Sequence, residues 1–285
     1  MLPALKDAFV IFVLRASLAF AAALLLFVFF FLFNEAAPAL SELGAPRFFS
    51  DESWNPLEKQ FYVLPMLMGT LASTALALFI ALPMGIAFAL FVEFLCPKRG
   101  AYLLLRVLEL LAGIPSVVFG FWGLVSVVPL IAAWRAPGTS LLCAGLILAL
   151  MILPTVALGT HAAVSSVDKS VLRAAESLSL SLNGTLFRLV LPMARSGIQT
   201  AIVLALARAL GETMAVLMVA GNVARVPQSL LDPVRTLTAN IALEMAYAMG
   251  LHRSSLFVSG LFVMFLVVVL LISNRLFAKV RMVSL

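Results

Sequence analysis

Residues 64–92 read LPMLMGTLASTALALFIALPMGIAFALFV and contain no Asp, Glu, Lys or Arg. A helix of that length reaches roughly 43 Å at 1.5 Å per residue, more than the roughly 30 Å of hydrocarbon in a bilayer. A helix on the surface of a soluble domain needs a polar face, and this segment has none. Five other apolar runs resemble it, at 16–33, 102–128, 141–162, 197–220 and 256–277. Together they predict an all-α membrane protein of about six transmembrane helices. The run 102–128 is interrupted by Gly113, Pro115 and Gly120, so a kink or break is expected there. Such a break is tolerated in a membrane only where neighbours or a cavity satisfy the freed backbone groups.

Composition points the same way. The 285 residues are 64% hydrophobic and 11% charged, whereas soluble domains are about half apolar and about a quarter charged. The net charge of +6 is not read as nucleic-acid binding, because Lys and Arg gather in the cytoplasmic loops of membrane proteins. With the N-terminus inside, twelve basic residues fall on the cytoplasmic side, among them Lys6, Arg275, Lys279 and Arg281, and six on the other. Both termini are therefore expected in the cytoplasm. The first run is too long for the apolar core of a signal peptide, and Arg15 marks its inner edge, so a retained helix is expected. Cys96 and Cys143 belong to no metal or disulfide pattern and read as packing residues. His161 and His252 are isolated in sequence and are assigned no chemistry.

Three divisions follow: an N-terminal helix and outer loop at 1–63, a core at 64–277 with a cytoplasmic loop at 163–196, and a tail at 278–285. The loop 34–63 carries Trp54 and Tyr62, suited to the headgroup level. The outer loop 221–255 has room for a short helix. In the cytoplasmic loop, Asp168 suits a helix N-cap. Val171, Ala175 and Leu178 would then share one face, with Lys169, Arg173 and Glu176 on another. Ser181 or Asn183 would cap a second short helix running towards Leu191-Pro192. Such a pair of helices is either a docking element or an amphipathic hairpin on the membrane surface.

The strongest chemical signal is Arg208 and Glu212, set in ARALGETMAV within an otherwise aliphatic run. Arg at a helix centre costs roughly 2.5–3.5 kcal/mol on insertion scales, and ionisable residues in spans mark ion or substrate paths. At i, i+4 the two can meet on one helix face. Arg208 offers a planar fork of donors to an oxyanion. Glu212 would hold Arg208 in place or accept a proton from a protonated oxyanion; the sequence leaves both open. Ser116, after the Gly-Ile-Pro break, is a candidate substrate donor or a packing contact. Thr213 borders the charged pair, and a hydroxyl bond to the preceding turn is the ordinary reading. Thr155 would satisfy a backbone group freed by Pro154. Arg235 and Glu244 read first as solvated loop charges, and otherwise as gate or docking residues.

The runs GETMAVLMVAGN (Gly211–Asn222), LAGIPSVVFGFWGL (Leu111–Leu124), MILPT (Met151–Thr155) and PVRTLTANIALEM (Pro233–Met245) resemble, in that order, the PstC-type permeases of phosphate ABC importers. The resemblance runs from about Trp54 to the last helix. It implies the type-1 ABC importer permease fold in a bacterial inner (plasma) membrane. It also implies that Arg208 and Glu212 act in phosphate translocation. Permeases of this class carry a cytoplasmic loop EAA-x3-G-x9-I-x-LP that docks on the ATPase. Setting its LP on Leu191-Pro192 places EAA on Arg173-Ala174-Ala175 and the glycine on Ser179. Arg173 thus stands where the family has an acid. Either Glu176, one turn on, substitutes for it, or the partner carries a compensating acid.

No GxxxxGK[ST] loop occurs, and no cofactor is expected in this chain. ATP and magnesium would belong to a separate ATPase dimer. A PstA-like sister permease, a phosphate-binding protein and phosphate complete the implied set, with a phosphate-sensing regulator as a further partner. Two rival readings remain: a permease for sulfate or molybdate, and a membrane regulatory subunit in phosphate signalling. An enzyme is disfavoured, since no nucleophile–base pair or metal cluster is present.

Overall fold

The computed structural model describes the backbone of residues 2–283 and the side chains of residues 9–274. Lys6, Arg275, Lys279, Arg281 and the predicted tail 278–285 lie outside the residues whose side chains are described. The long helices are α1 (Leu2–Leu43), α2 (Leu64–Phe94), α3 (Lys98–Gly113), α4 (Ser116–Ala132) and α5 (Leu141–Ser165). There follow α6 (Lys169–Ser177), α7 (Leu182–Leu210), the short α8 (Met214–Val219) and α9 (Leu237–Glu244), and finally α10 (Gly250–Val283). Among the described residues, five helices are long and apolar enough to cross a membrane, and six spans result if α3 and α4 count as one. The chain is a multi-pass membrane protein.

The break expected near Gly113 and Pro115 is a bend of 93° between α3 and α4. Pro115 lacks the N–H a continuous helix would need, and Ile114 before it is extended at φ −68°, ψ 129°, as a residue preceding proline prefers. Other prolines are absorbed without breaking their helices, two of them next to a wider turn. One π-helical turn, Gly123–Val127, lies just before Pro129, and another, Leu186–Val190, just before Pro192. The wider turn accommodates the missing donor and the ring.

This corrects the expected layout around 163–220. The second loop helix is not short: α7 continues through Pro192 to Leu210 as one rod. The expected span 197–220 in turn stops at Leu210 and resumes only as α8.

The chain divides into two compact units. The larger comprises residues 63–243 and 263–285. Its apolar core gathers α2, α4, α5, α7 and α8 around Ile147, Met151, Ile152 and Val216. Without a hydrophobic drive in lipid, small residues let helix backbones approach. Along α5 and α7, Gly159 faces Ala201 and Gly197 faces Ala163, each with room for no added methyl. The smaller unit comprises residues 1–62 and 244–262. It contains the hairpin β1 (Trp54–Asn55) and β2 (Gln60–Phe61). Phe48 and Phe61 are buried there, and Trp54 packs edge-on to Phe61 at 5.4 Å.

Candidate translocation site and coupling loop

Arg208 lies in the last turn of α7, not at a helix centre. A cation there meets the negative end of the helix dipole. It is half-buried and makes no hydrogen bond or ion pair with any described residue. The expected i, i+4 meeting with Glu212 does not occur, because the helix ends between them. Gly211 N donates to Ala207 O, the last regular bond of the helix, and Glu212 N to Ala209 O at 3.3 Å, the tightened bond of a terminating helix. The Glu212 carboxylate turns the other way and accepts from Ala215 N–H at 3.1 Å. Arg208 and Glu212 thus face different work. The guanidinium keeps its donors, and the carboxylate satisfies an amide at the start of α8.

The rest of the break is also satisfied. The Thr213 hydroxyl donates to Gly211 O at 3.3 Å, the local bond expected of it. The Thr238 hydroxyl donates to Glu212 O at 2.7 Å. Ser116 opens α4, and that helix packs on α8: a methyl at Gly120 would lie 2.8 Å from Ala215 Cα. The structure therefore brings the Ser116 helix against the helix that follows Thr213. Among the described residues, neither Ser116 nor Thr155 makes a side-chain hydrogen bond, so the expected rescue of the Pro154 backbone by Thr155 is absent.

Several polar residues differ from expectation because their partners are distant in sequence. Glu244 is no solvated loop charge. It is 7% exposed and accepts from Trp54 Nε1 at 2.8 Å, with His252 Nε2 also at 2.8 Å. His161 pairs with Glu93 at 3.1 Å. Arg235 donates through Nε to Asn222 O at 2.9 Å and through Nη1 to Asn240 Oδ1 at 3.0 Å. No spacing rule finds such pairs; only the helix packing does.

In the loop 163–196, Asp168 caps α6 by accepting from Ser170 N–H at 2.8 Å. That bond holds its carboxyl below the usual range, so the cap persists as pH falls to the ordinary carboxylate range and is lost below it. Ser181, rather than Asn183, caps α7 by accepting from Gly184 N–H at 3.2 Å. Ala175 is buried while Arg173, Ala174, Glu176, Ser179 and Pro192 are exposed, with Leu191 half-buried. Leu178 does not join Ala175 in the packed face. The helix ends at Ser177, and Leu178 is 75% exposed. The turn is made by Ser179 at φ +50°, the left-handed region that favours glycine. This is the position matched to the glycine of the EAA loop, so a serine here holds a backbone conformation that suits glycine. Ser179→Gly is expected to stabilise the loop by about 0.5–1 kcal/mol, seen as slower hydrogen exchange over residues 170–180. Faster exchange would show that the serine itself holds the turn.

The chain resembles known proteins over most of its length. Residues 81–281 match the family model described as the binding-protein-dependent transport system inner membrane component. The phosphate transport system permease protein PstC of Mesorhizobium japonicum is 36% identical over 264 residues, covering 85% of this chain and 80% of that one. PstC 1 of Mycobacterium tuberculosis is also 36% identical, over 73% of this chain and 72% of its own. A crystallised bacterial ABC transporter involved in the import of the acidic polysaccharide alginate superposes with a TM-score of 0.58. It covers 93% of this chain and 96% of its own at 15% identity, a likeness of fold alone. Broken spans, a helical loop with the left-handed turn at Ser179, and this match over residues 81–281 agree: the chain belongs to the binding-protein-dependent transport system inner membrane component family, the permease subunits of ABC transporters.

Proposed function

We propose that this chain is the PstC-type permease subunit of an ATP-driven inorganic phosphate importer and forms half of the translocation path with a PstA-like sister. The single observation that carries this reading is Arg208. It is a guanidinium with no partner among the described residues, at a helix break in an apolar segment, in a chain 36% identical to a phosphate permease. A desolvated oxyanion needs charge-assisted donors, and Arg208 holds such donors unengaged. Glu212 and Thr213 border the same break, and Ser116 opens the helix packed beyond it.

In this reading both termini are cytoplasmic, as the twelve-to-six charge bias supports. A dimer of separate ATPase subunits hydrolyses ATP with magnesium and docks on the loop 163–196 through the exposed Arg173, Ala174, Glu176 and Ser179, with buried Ala175 holding that helix to the bundle and Leu191-Pro192 in the same loop. Exposed Leu178 and Phe187 give that surface its apolar contact. A phosphate-binding protein delivers substrate from outside, and the permease pair alternates between outward and inward access.

The test is reconstitution of the full complex in proteoliposomes. ATP-dependent uptake of radiolabelled phosphate is expected, with little competition from a tenfold excess of sulfate or molybdate. Preferred uptake of either competitor, or phosphate-dependent signalling without uptake, would overturn the reading.

A further inference from the structure

α8 has only six residues, too few to hold a helix without tertiary support. Besides its packing on α4 and the bond from Ser140 N to Val219 O at 3.1 Å, it is flanked at both ends by one segment, residues 234–240. On the near side, the Thr238 hydroxyl donates to Glu212 O at 2.7 Å. On the far side, Val234 N donates to Ala220 O at 2.9 Å, and Arg235 Nε donates to Asn222 O. The gripping segment is itself fixed. Thr236, 3% exposed, accepts from Ala239 N–H at 3.3 Å and lies 3.3 Å from the Thr238 hydroxyl. Leu237 N donates to the buried Thr70 hydroxyl of α2 at 3.0 Å. α8 and α9 therefore form one block, hung on α2.

α7, by contrast, is one rod from the coupling loop to the break. Arg208 rides on α7, and the Glu212 carboxylate rides on the α8 block through Ala215. If the break closed into a regular helix, Thr213 N would bond Ala209 O and Met214 N would bond Leu210 O. Glu212 would then fall at i+4 from Arg208, where opposite charges pair, strongly so away from water. The bond to Glu212 O competes with that closure.

We propose that Thr238 is a positioning residue that keeps the 211–213 break open, so that Glu212 cannot neutralise Arg208 and the guanidinium stays available to an oxyanion. This rests on the reading of Arg208 as the substrate cation.

The experiment compares Thr238→Val, which removes the hydroxyl at constant shape, with Thr238→Ser, which restores it, in the assembled complex. With Val, hydrogen exchange at the Thr213 and Met214 amides is expected to slow, and KM for phosphate to rise about tenfold with kcat within twofold. Ser is expected to restore both. Unchanged exchange in Thr238→Val overturns the proposal, as does equal impairment in Val and Ser, which would mark a packing role. The exchange readout does not depend on transport. A wild-type complex that takes up no phosphate would sink the functional reading while the exchange arm still tests the positioning.

Discussion

Arg208→Gln is expected to cut phosphate uptake sharply while the complex still assembles. The substitution keeps a similar length and one amide donor but removes the charge. Hydrogen bonds to charged groups contribute about 1.5–3 kcal/mol, and a path with little water gives the ion nothing in exchange. At about 1.4 kcal/mol per decade, uptake is expected to fall by about 10- to 150-fold. Arg208→Lys keeps the charge and loses the fork, and an intermediate loss is expected. Because Arg208 has no protein partner among the described residues, its removal leaves no buried acid stranded. Co-purification of the ATPase and basal ATP hydrolysis are therefore expected to persist. Normal uptake in Arg208→Gln would make the residue structural and remove the anion site.

Gly120→Val is expected to be as damaging by a different route. A Cβ at this position would lie 2.8 Å from Ala215 Cα and 3.3 Å from Ala215 O, so the obstruction is backbone and cannot rotate away. Forcing α4 from α8 carries the overpacking cost of about 1–3 kcal/mol and displaces the helix that Glu212 caps. Lower thermal stability of the purified complex and loss of uptake should appear together. Trimming Ala215 to Gly should not rescue, because the clash is with Cα. Gly113→Ala is the control, since a methyl there meets nothing within 4 Å. Similar losses in both variants would mean that the lost backbone freedom of glycine, not close approach, sets the effect.

The apolar runs were legible because lipid leaves them no other solvent, and the GIP break because proline chemistry is local. The positions of Arg208 and Glu212 were legible too, since charge in an apolar run stands out. Their relationship was not: the i, i+4 spacing predicted a pair, and the structure separates them. Likewise Leu178 fitted the periodic face with Ala175, yet the chain turns at Ser179 before Leu178 can join it. The loop turn was matched by family alignment alone, since serine carries no local signal for a left-handed residue.

The sequence by itself determined the solvent, the helical class, the bend at Pro115 and the residues that carry charge into the membrane. Each of these follows from a local property: side-chain transfer energy, a missing N–H, or a run longer than the bilayer is thick. Tertiary structure alone decided where α7 stops and what Glu212 does. Whether 211–213 closes into a helix is a balance of single hydrogen bonds, and the bond that tips it comes from Thr238, 26 residues along the chain. The same holds for Glu244 with Trp54, 190 residues apart. Contacts of that separation exist only once the helices have packed.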